Sequence, residues 1–285
     1  MIAFYENRTD DLSCRDCSDG NSRLHFSAHL HSHLELVLFL DGRSTAFCDT
    51  ERVDLQAGDA FITFPNQIHR YKSFDEERYY IFLINPEILP ELSSIFSDFI
   101  PASALLRGAA KDKEVLALAR HLIALGNDDT PFARFRRGGY LLALLGKLLS
   151  LMELNKTLTG DSHALKAVVN FCAHNYTKEL SLALLEEELH ISRYYISHLF
   201  SDKLKMSFND YINSLRVSSA CAFLKANDRS ITEIGSLVGF GTLRTFNRAF
   251  SKQMGLTPSE YRRVSGFTDT PSIHSIQLIK KGTEL

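Results

Sequence analysis

The spacing of hydrophobic positions changes character along the chain. Over the first 110 residues they come in short runs broken by turns. Residues 35–40 form an apolar run that stops at Asp41-Gly42, a strong turn signal, and 44–48, 58–64 and 79–84 are further segments of strand length. Such a succession predicts a compact β-barrel or sandwich. From residue 111 the period becomes helical. Val115, Leu116, Leu118, Ala119, Leu122 and Ile123 mark one amphipathic helix, and 132–154 a second. The second carries Leu141, Leu142, Leu144, Leu145, Leu148, Leu149, Leu151 and Met152, which cover more than one face. Burial on the barrel occupies one face. The excess predicts a helix from a second chain, with packing inside a single chain as the alternative. Residues 155–162 are polar, contain Gly and carry no apolar stripe, so they read as a linker.

Beyond the linker the helical pattern occurs twice. Leu182, Leu185, Leu189, Ile191, Ser192, Ile196, Phe200 and Ser201 recur as Ile231, Ile234, Val238, Phe240, Gly241, Phe246, Phe250 and Ser251. The offset is 49 up to Ile191/Phe240 and 50 from Ile196/Phe246 on, so the copies differ by one residue at the turn. Two apolar stripes separated by a short turn describe a helix-turn-helix, whose second helix can lie in a major groove about 12 Å wide. Two copies imply two groove contacts about one helical turn, or about 34 Å, apart.

Ser192 and Thr242 are candidate N-caps of these second helices. In the first, over 193–203, Ile196, Leu199 and Phe200 turn inward and leave Arg193, Tyr194, Ser197 and His198 toward DNA. In the second, over 242–252, Phe246, Ala249 and Phe250 turn inward and leave Leu243, Arg244, Thr245, Asn247 and Arg248. Arginine suits bidentate contact with guanine, whereas Thr and Leu can touch thymine methyl groups. A phosphate contact or a solvated face is the alternative for each Arg, and Arg244 is the first candidate for base readout. Residues 204–226 predict a rigid connecting helix with Tyr211, Leu215, Val217, Ala220 and Leu224 on its packing face.

Residues 163–265 resemble the AraC/XylS family of transcription regulators. The resemblance rests on Asn175-Tyr176, Leu180-Ser181-Leu182, Ile191-Ser192, Tyr195-Ile196, Leu199-Phe200, Tyr211, Arg216 and Gly239-Phe240. It continues through Phe246-Asn247-Arg248, Phe250, Gly255 and the closing Thr257-Pro258-Ser259-Glu260-Tyr261-Arg262. Departures lie in the first unit. Glu186 stands where the family usually has a small residue, His190 where it often has Gly in the turn, and Lys205 at another position that is usually Gly. A Glu at a close helix contact must reach water or a partner.

The near-neutral total charge conceals an asymmetry. Residues 1–162 hold 17 Lys/Arg against 23 Asp/Glu, residues 163–265 hold 13 against 9, and the tail 266–285 holds two of each. Positive charge therefore gathers where the groove-binding helices lie, although an excess of four needs specific contacts and dimerisation beside it. Nowhere is there an apolar run long enough to span a bilayer, nor a secretion-type N-terminus, and a cytoplasmic location is expected. Five cysteines are an odd set that argues against a disulfide framework. Cys14 and Cys17 form a lone C-x-x-C in a polar stretch, read as surface thiols on a loop, with metal ligation or a redox pair as the alternatives.

The N-terminal region resembles the cupin barrel, the sensor domain of many regulators in the same family. His29-x-His31, Glu35 and Gly42 fall at the spacing of the first cupin motif, and Gly58 with Pro65-Asn66-Gln67-Ile68-His69 resembles an altered second one. In metal-binding cupins the equivalents of His29, His31, Glu35 and His69 hold one divalent ion, and these ligand types suit iron, manganese, nickel or zinc. Regulatory cupins often keep the same residues without a metal, and no cofactor is expected here. A ligand pocket is the preferred reading, with His31, Glu35, Phe39, Phe61, Thr63, His69 and Tyr80 as candidate lining residues. Ordinary core packing is the alternative for each. His33 alternates with His31 and is expected to face away.

The resulting expectation is an α+β chain: a cupin-like barrel over 1–110, a helical dimerisation region over 111–154, a linker over 155–162, a tandem helix-turn-helix domain over 163–265 and a tail over 266–285. The resemblance implies a regulator that binds double-stranded promoter DNA and a small-molecule effector, carbohydrate being one class. It also implies a homodimer and RNA polymerase as a partner. No catalytic residues are assigned. The alternatives are a metal-dependent cupin enzyme fused to a DNA-binding region, or a regulator governed by a protein partner or by concentration alone.

Overall fold

The computed structural model describes residues 4–6, 8, 10–126, 128, 130–156, 161–204, 206–226 and 229–265. The tail, Lys205 and residues 157–160 of the expected linker lie outside the described residues. In chain order the strands are β1 (Phe4–Tyr5), β2 (Leu12–Ser22), β3 (Phe26–Leu30), β4 (Leu34–Asp41), β5 (Arg43–Cys48) and β6 (Glu51–Gln56). They continue as β7 (Ala60–Thr63), β8 (His69–Ser73), β9 (Glu77–Ile84), β10 (Phe99–Pro101), β11 (Leu105–Leu106) and β12 (Leu154–Lys156). The helices are α1 (Ser93–Asp98), α2 (Lys113–Leu125), α3 (Pro131–Ser150), α4 (Asp161–Asn175) and α5 (Leu182–Leu189). They are followed by α6 (Arg193–His198), α7 (Phe208–Ala226), α8 (Ile231–Leu237), α9 (Leu243–Met254) and α10 (Pro258–Ser265).

The chain forms two compact units. One comprises residues 8–25 and 31–159; the described residues of the other fall within 1–7, 26–30 and 160–285. In the first unit β11, β7, β4, β9 and β2 make a five-stranded sheet in that order. The central strand β4 is covered on both faces, which is why residues 36–40 are a continuous apolar run rather than an alternating one. Its Leu34, Leu36 and Leu38 join Ala60, Ile62, Phe82 and Ile84 in a core with Val115, Ala119 and Leu122 of α2 and Leu141, Leu144, Leu145 and Leu148 of α3. Each leucine buried there contributes about 1.5–3 kcal/mol. On the other face lie Glu35, Val37 and Phe39. They look toward a second sheet in which β5 pairs with β6 and β8. The rings of Phe61 on β7 and Tyr71 on β8 meet edge to face at 5.6 Å.

Two expectations are corrected in this unit. The polar stretch holding Cys14 and Cys17 is no loop, because β2 pairs with β9 and sets Cys14 opposite Phe82 and Cys17 opposite Tyr79. Three residues apart on a strand, the two thiols leave opposite faces and cannot share a metal or close a disulfide. The expected linker is also shorter than read. Asn155 and Lys156 pair with Ile100 and Phe99, and Asp161 already opens α4, because backbone pairing needs no apolar stripe.

In the second unit, Ser181, Ser192, Ser230 and Thr242 cap α5, α6, α8 and α9, each hydroxyl accepting a backbone N–H of the first turn. Helix α7 begins at Phe208 rather than 204. The first recognition helix stops at His198 and continues as a π-turn over Leu199–Lys203. Tyr211, Leu215, Val217, Ala220 and Leu224 are all buried, as the packing face of α7 requires. β1 pairs in parallel with β3, and Tyr5 is buried against α7. The Tyr5 N–H donates to Ser214 Oγ at 3.1 Å, and its ring meets Tyr211 edge-on at 5.3 Å. The N-terminal strand therefore belongs with the connecting helix, which local sequence around residue 163 could not reveal.

Candidate functional site

The helix-turn-helix units present the residues expected to meet DNA. On α6, Arg193, Tyr194, Ser197 and His198 are exposed while Ile196, Leu199 and Phe200 are buried. Tyr194 keeps 74% of its surface in solvent. Its ring sits 4.6 Å from that of His198, whose Nδ1 lies 3.1 Å from Asp202 Oδ2. On α9, Leu243, Arg244, Thr245 and Arg248 are exposed and Phe246 and Phe250 are buried. The Thr245 hydroxyl donates to the Thr242 carbonyl at 2.8 Å, which commits its oxygen to the helix start. Asn247 is half-buried, with Oδ1 shielded from solvent and without a hydrogen-bond partner among the described residues. It therefore sits further into the helix contact than the outward reading expects.

The two copies are not equivalent where they turn. In the second, Gly235 lies under Phe246, and a Cβ there would come 2.9 Å from its ring. Glu186 holds the matching place in the first copy, where the smaller Ile196 stands in the position of Phe246. Its Oε1 accepts the Arg193 N–H at 3.0 Å, and its Oε2 pairs with Arg193 Nε at 2.9 Å. The carboxylate thus has the partner its position demands. In the sequence Glu186 stands out only as a departure from the family pattern; the seven-residue step to an Arg at the head of the next helix is the local signal for the pair.

The turns differ likewise. His190 ends α5 in the left-handed conformation at φ 54, whereas α8 ends on Val238 and the left-handed residue is Gly239 just beyond it, at φ 95. Between the units, Arg216 donates to the carbonyls of Tyr176 at 2.7 Å and Lys178 at 2.8 Å, and burial draws its pKa down from the ordinary value. It is a structural arginine.

Inside the barrel, Glu35, His31, His69 and Tyr71 are all buried. Glu35 Oε2 lies 3.4 Å from His31 Nε2 and 3.5 Å from His69 Nε2, while the Tyr71 hydroxyl donates to Glu35 Oε1 at 2.6 Å. Burial raises the Glu35 carboxyl, but the facing His69 charge and hydrogen bonds from both imidazoles outweigh it and hold the group well below the usual glutamate range. Burial and the neighbouring carboxylate push the Tyr71 phenol up, so it remains a donor at neutral pH.

Each imidazole turns its Nδ1 to a backbone carbonyl: His31 to His33 at 3.0 Å, His69 to Gln67 at 2.9 Å and His29 to Ser27 at 2.8 Å. The ligand atoms of His31, Glu35 and His69 lie within 4.8 Å of one another, whereas His29 belongs to the other compact unit. His33 turns its Nε2 to the Asp10 carbonyl at 2.6 Å, away from the cluster as expected.

Phe39, Phe61 and Thr63 share the inner side of the sheet with Glu35, for register sets Glu35 opposite Thr63 and Val37 opposite Phe61. Thr63 Oγ1 is buried there without a hydrogen-bond partner among the described residues. Tyr80 is the exception. Register sets it opposite Leu38, on the face that packs against α2 and α3, so it lines the helix-side core and not the interior. A one-residue slip in a strand changes the face, and Tyr79, opposite Phe39, is the inward residue. Tyr71 was absent from the expected set although its place two residues after His69 puts it on the same side.

Residues 17–167 match the AraC-like ligand binding domain and residues 185–264 the helix-turn-helix domain of the corresponding families. The Msm operon regulatory protein of Streptococcus mutans is 23% identical over 273 residues, covering 92% of this chain and 94% of that protein. The melibiose operon regulatory protein of Escherichia coli is 26% identical over 132 residues, 46% of this chain and 43% of that protein. Among solved structures, ToxT of Vibrio cholerae with an unsaturated fatty acid bound superposes with a TM-score of 0.57 at 17% identity, covering 88% of this chain and 94% of that one. With its ligand-binding and DNA-binding regions both matched in order, the chain belongs to the AraC family of transcriptional regulators.

Proposed function

We propose that this regulator reads promoter DNA through α6 and α9 and takes a small polar effector at the Glu35 cluster. The observation that carries the reading is α9, where Arg244 and Arg248 stand exposed beside Leu243 and Thr245, and neither arginine forms an ion pair among the described residues. Arginines left free at the head of a capped helix have the donors for guanine edges or phosphates, and the apolar groups suit thymine methyls. Selection of bound DNA from a random pool, intact chain against Arg244→Ala at fixed salt, tests it. An enriched motif that relaxes at one position in the variant supports the assignment; no enrichment at low salt removes it.

The effector reading rests on the chemistry of the cluster. A buried carboxylate, two imidazoles, a phenol and the unpaired Thr63 hydroxyl stand beside Phe39 and Phe61, a mixture suited to a ligand rich in hydroxyl groups, with carbohydrate as the proposed class. The melibiose operon regulator points the same way, whereas the fatty acid bound to ToxT is that protein's own ligand.

The same residues also fit one divalent ion. Nitrogen and oxygen ligands about 2.1 Å from a common ion stand about 3.0–3.4 Å apart, close to the separations around Glu35 Oε2. His31, Glu35 and His69 would hold such an ion, and it would supply a Lewis-acidic anchor for an effector oxygen. A thermal-shift panel of sugars, fatty acids and divalent ions, run on the intact chain and Glu35→Gln, separates these readings. A stoichiometric redox-active ion lost on His31→Ala would instead favour the metal-dependent enzyme.

We assign dimerisation to α3, whose Phe132 and Phe135 each leave 79% of their surface in solvent while Leu141, Leu144, Leu145 and Leu148 are buried within the barrel unit. RNA polymerase is the proposed partner on the promoter and the cytoplasm the proposed location. No helix among the described residues is long and apolar enough to cross a membrane.

A further inference from the structure

We infer that Glu186 is a positioning residue that aims Arg193 at a guanine in the first half of the recognised site. Both Glu186 carboxylate oxygens are engaged, one with the Arg193 backbone N–H at 3.0 Å and the other with its Nε at 2.9 Å. These contacts fix the guanidinium at the end nearest its stem. Its two terminal nitrogens form no hydrogen bond or ion pair among the described residues, and the side chain is 66% exposed. The free edge is the one that meets guanine O6 and N7. A long side chain held by a carboxylate at the head of a helix spends less rotamer entropy when it docks, and its planar fork is already oriented.

A carboxylate this close to the DNA surface also repels phosphate. Glu186 should therefore weaken binding to arbitrary sequence while sharpening the choice of base. The second unit has no such device, since Gly235 and Leu243 stand at the matching places. The two copies then read DNA differently: one by a braced arginine, the other by arginines left free.

The test is binding of the intact chain to its selected site and to single-base variants of it, at two salt concentrations, for wild type, Glu186→Gln, Glu186→Ala, Arg193→Ala and the Glu186→Ala/Arg193→Ala double variant. Glu186→Gln keeps the volume and one acceptor for the backbone N–H if Glu186→Ala compromises folding, which melting temperature reports. The expected result is an approximately 5- to 150-fold loss of preference for G at one position in both Glu186 variants, with affinity for unrelated DNA equal or higher. Arg193→Ala should lose the same preference, and the double variant no more than that. Preference retained without Glu186, a uniform loss over all sequences, or additive effects of the two single variants would overturn the assignment. Sequence-specific binding by the wild type in the same assay keeps the regulator reading separate from this one.

Discussion

At the scale of single residues, the barrel cluster and the DNA face make different demands. Glu35 is tied to three partners, so removing its charge leaves two buried imidazoles and a phenol facing a neutral amide with a single acceptor oxygen. Glu35→Gln should cost about 3 kcal/mol at pH 7 in chemical denaturation. The folded carboxyl is held low, so its stabilisation is fully present above the ordinary glutamate pKa and is lost as pH falls through the folded value. The gap between wild type and variant should therefore close in acid. A gap independent of pH would mean the charge is not what the fold uses. Cys14 tests the strand reading of its neighbourhood. Burial pushes its thiol up to about 11, so iodoacetamide at neutral pH should leave it unmodified in the native chain, as intact mass would report. Arg244→Ala, by contrast, should leave melting unchanged and relax base choice by about 1–3 kcal/mol at one position.

At the scale of elements, the two helix-turn-helix copies show how one pattern is met by different residues. Gly239 turns at φ 95 with its Cα so close to Thr177 that a Cβ would lie 2.6 Å from the Thr177 carbonyl oxygen. Gly239→Ala should therefore cost at least about 2 kcal/mol, through both overpacking and the left-handed backbone. His190 makes the matching turn with a side chain. His190→Gly should raise stability by about 0.5–1 kcal/mol, because glycine removes the left-handed penalty and returns only part of it as chain entropy. Melting of the two variants checks both signs. The caps at Ser192 and Thr242, the inward faces of α6 and α9 and the packing face of α7 were legible because each depends on local period and local hydrogen bonding. The π-turn after His198 was not, since nothing in Leu199–Lys203 distinguishes it from another turn of α-helix.

At the scale of the whole molecule, the proposed dimer helix offers the clearest test. Replacing Phe132 and Phe135 together by serine should shift sedimentation toward the monomer and leave melting nearly unchanged, because both rings already face solvent in the single chain. Loss of melting temperature instead would put the rings in the fold and not in an interface. By itself the sequence determined the order of the parts: β-rich segment, helices, tandem helix-turn-helix. Period, caps and turn residues are local properties that survive without knowledge of partners in space. It also determined which barrel residues gather, for His31, Glu35 and His69 do meet. Tertiary structure decided the rest. Which face of β9 looks inward follows from pairing with β4, so Tyr80 and Tyr79 exchange roles. That β1 packs on α7, that Glu186 finds Arg193, and that Tyr71 completes the Glu35 network all depend on contacts between segments distant in sequence or across a turn. No local spacing rule encodes such contacts, because their stability comes from burial shared by both segments.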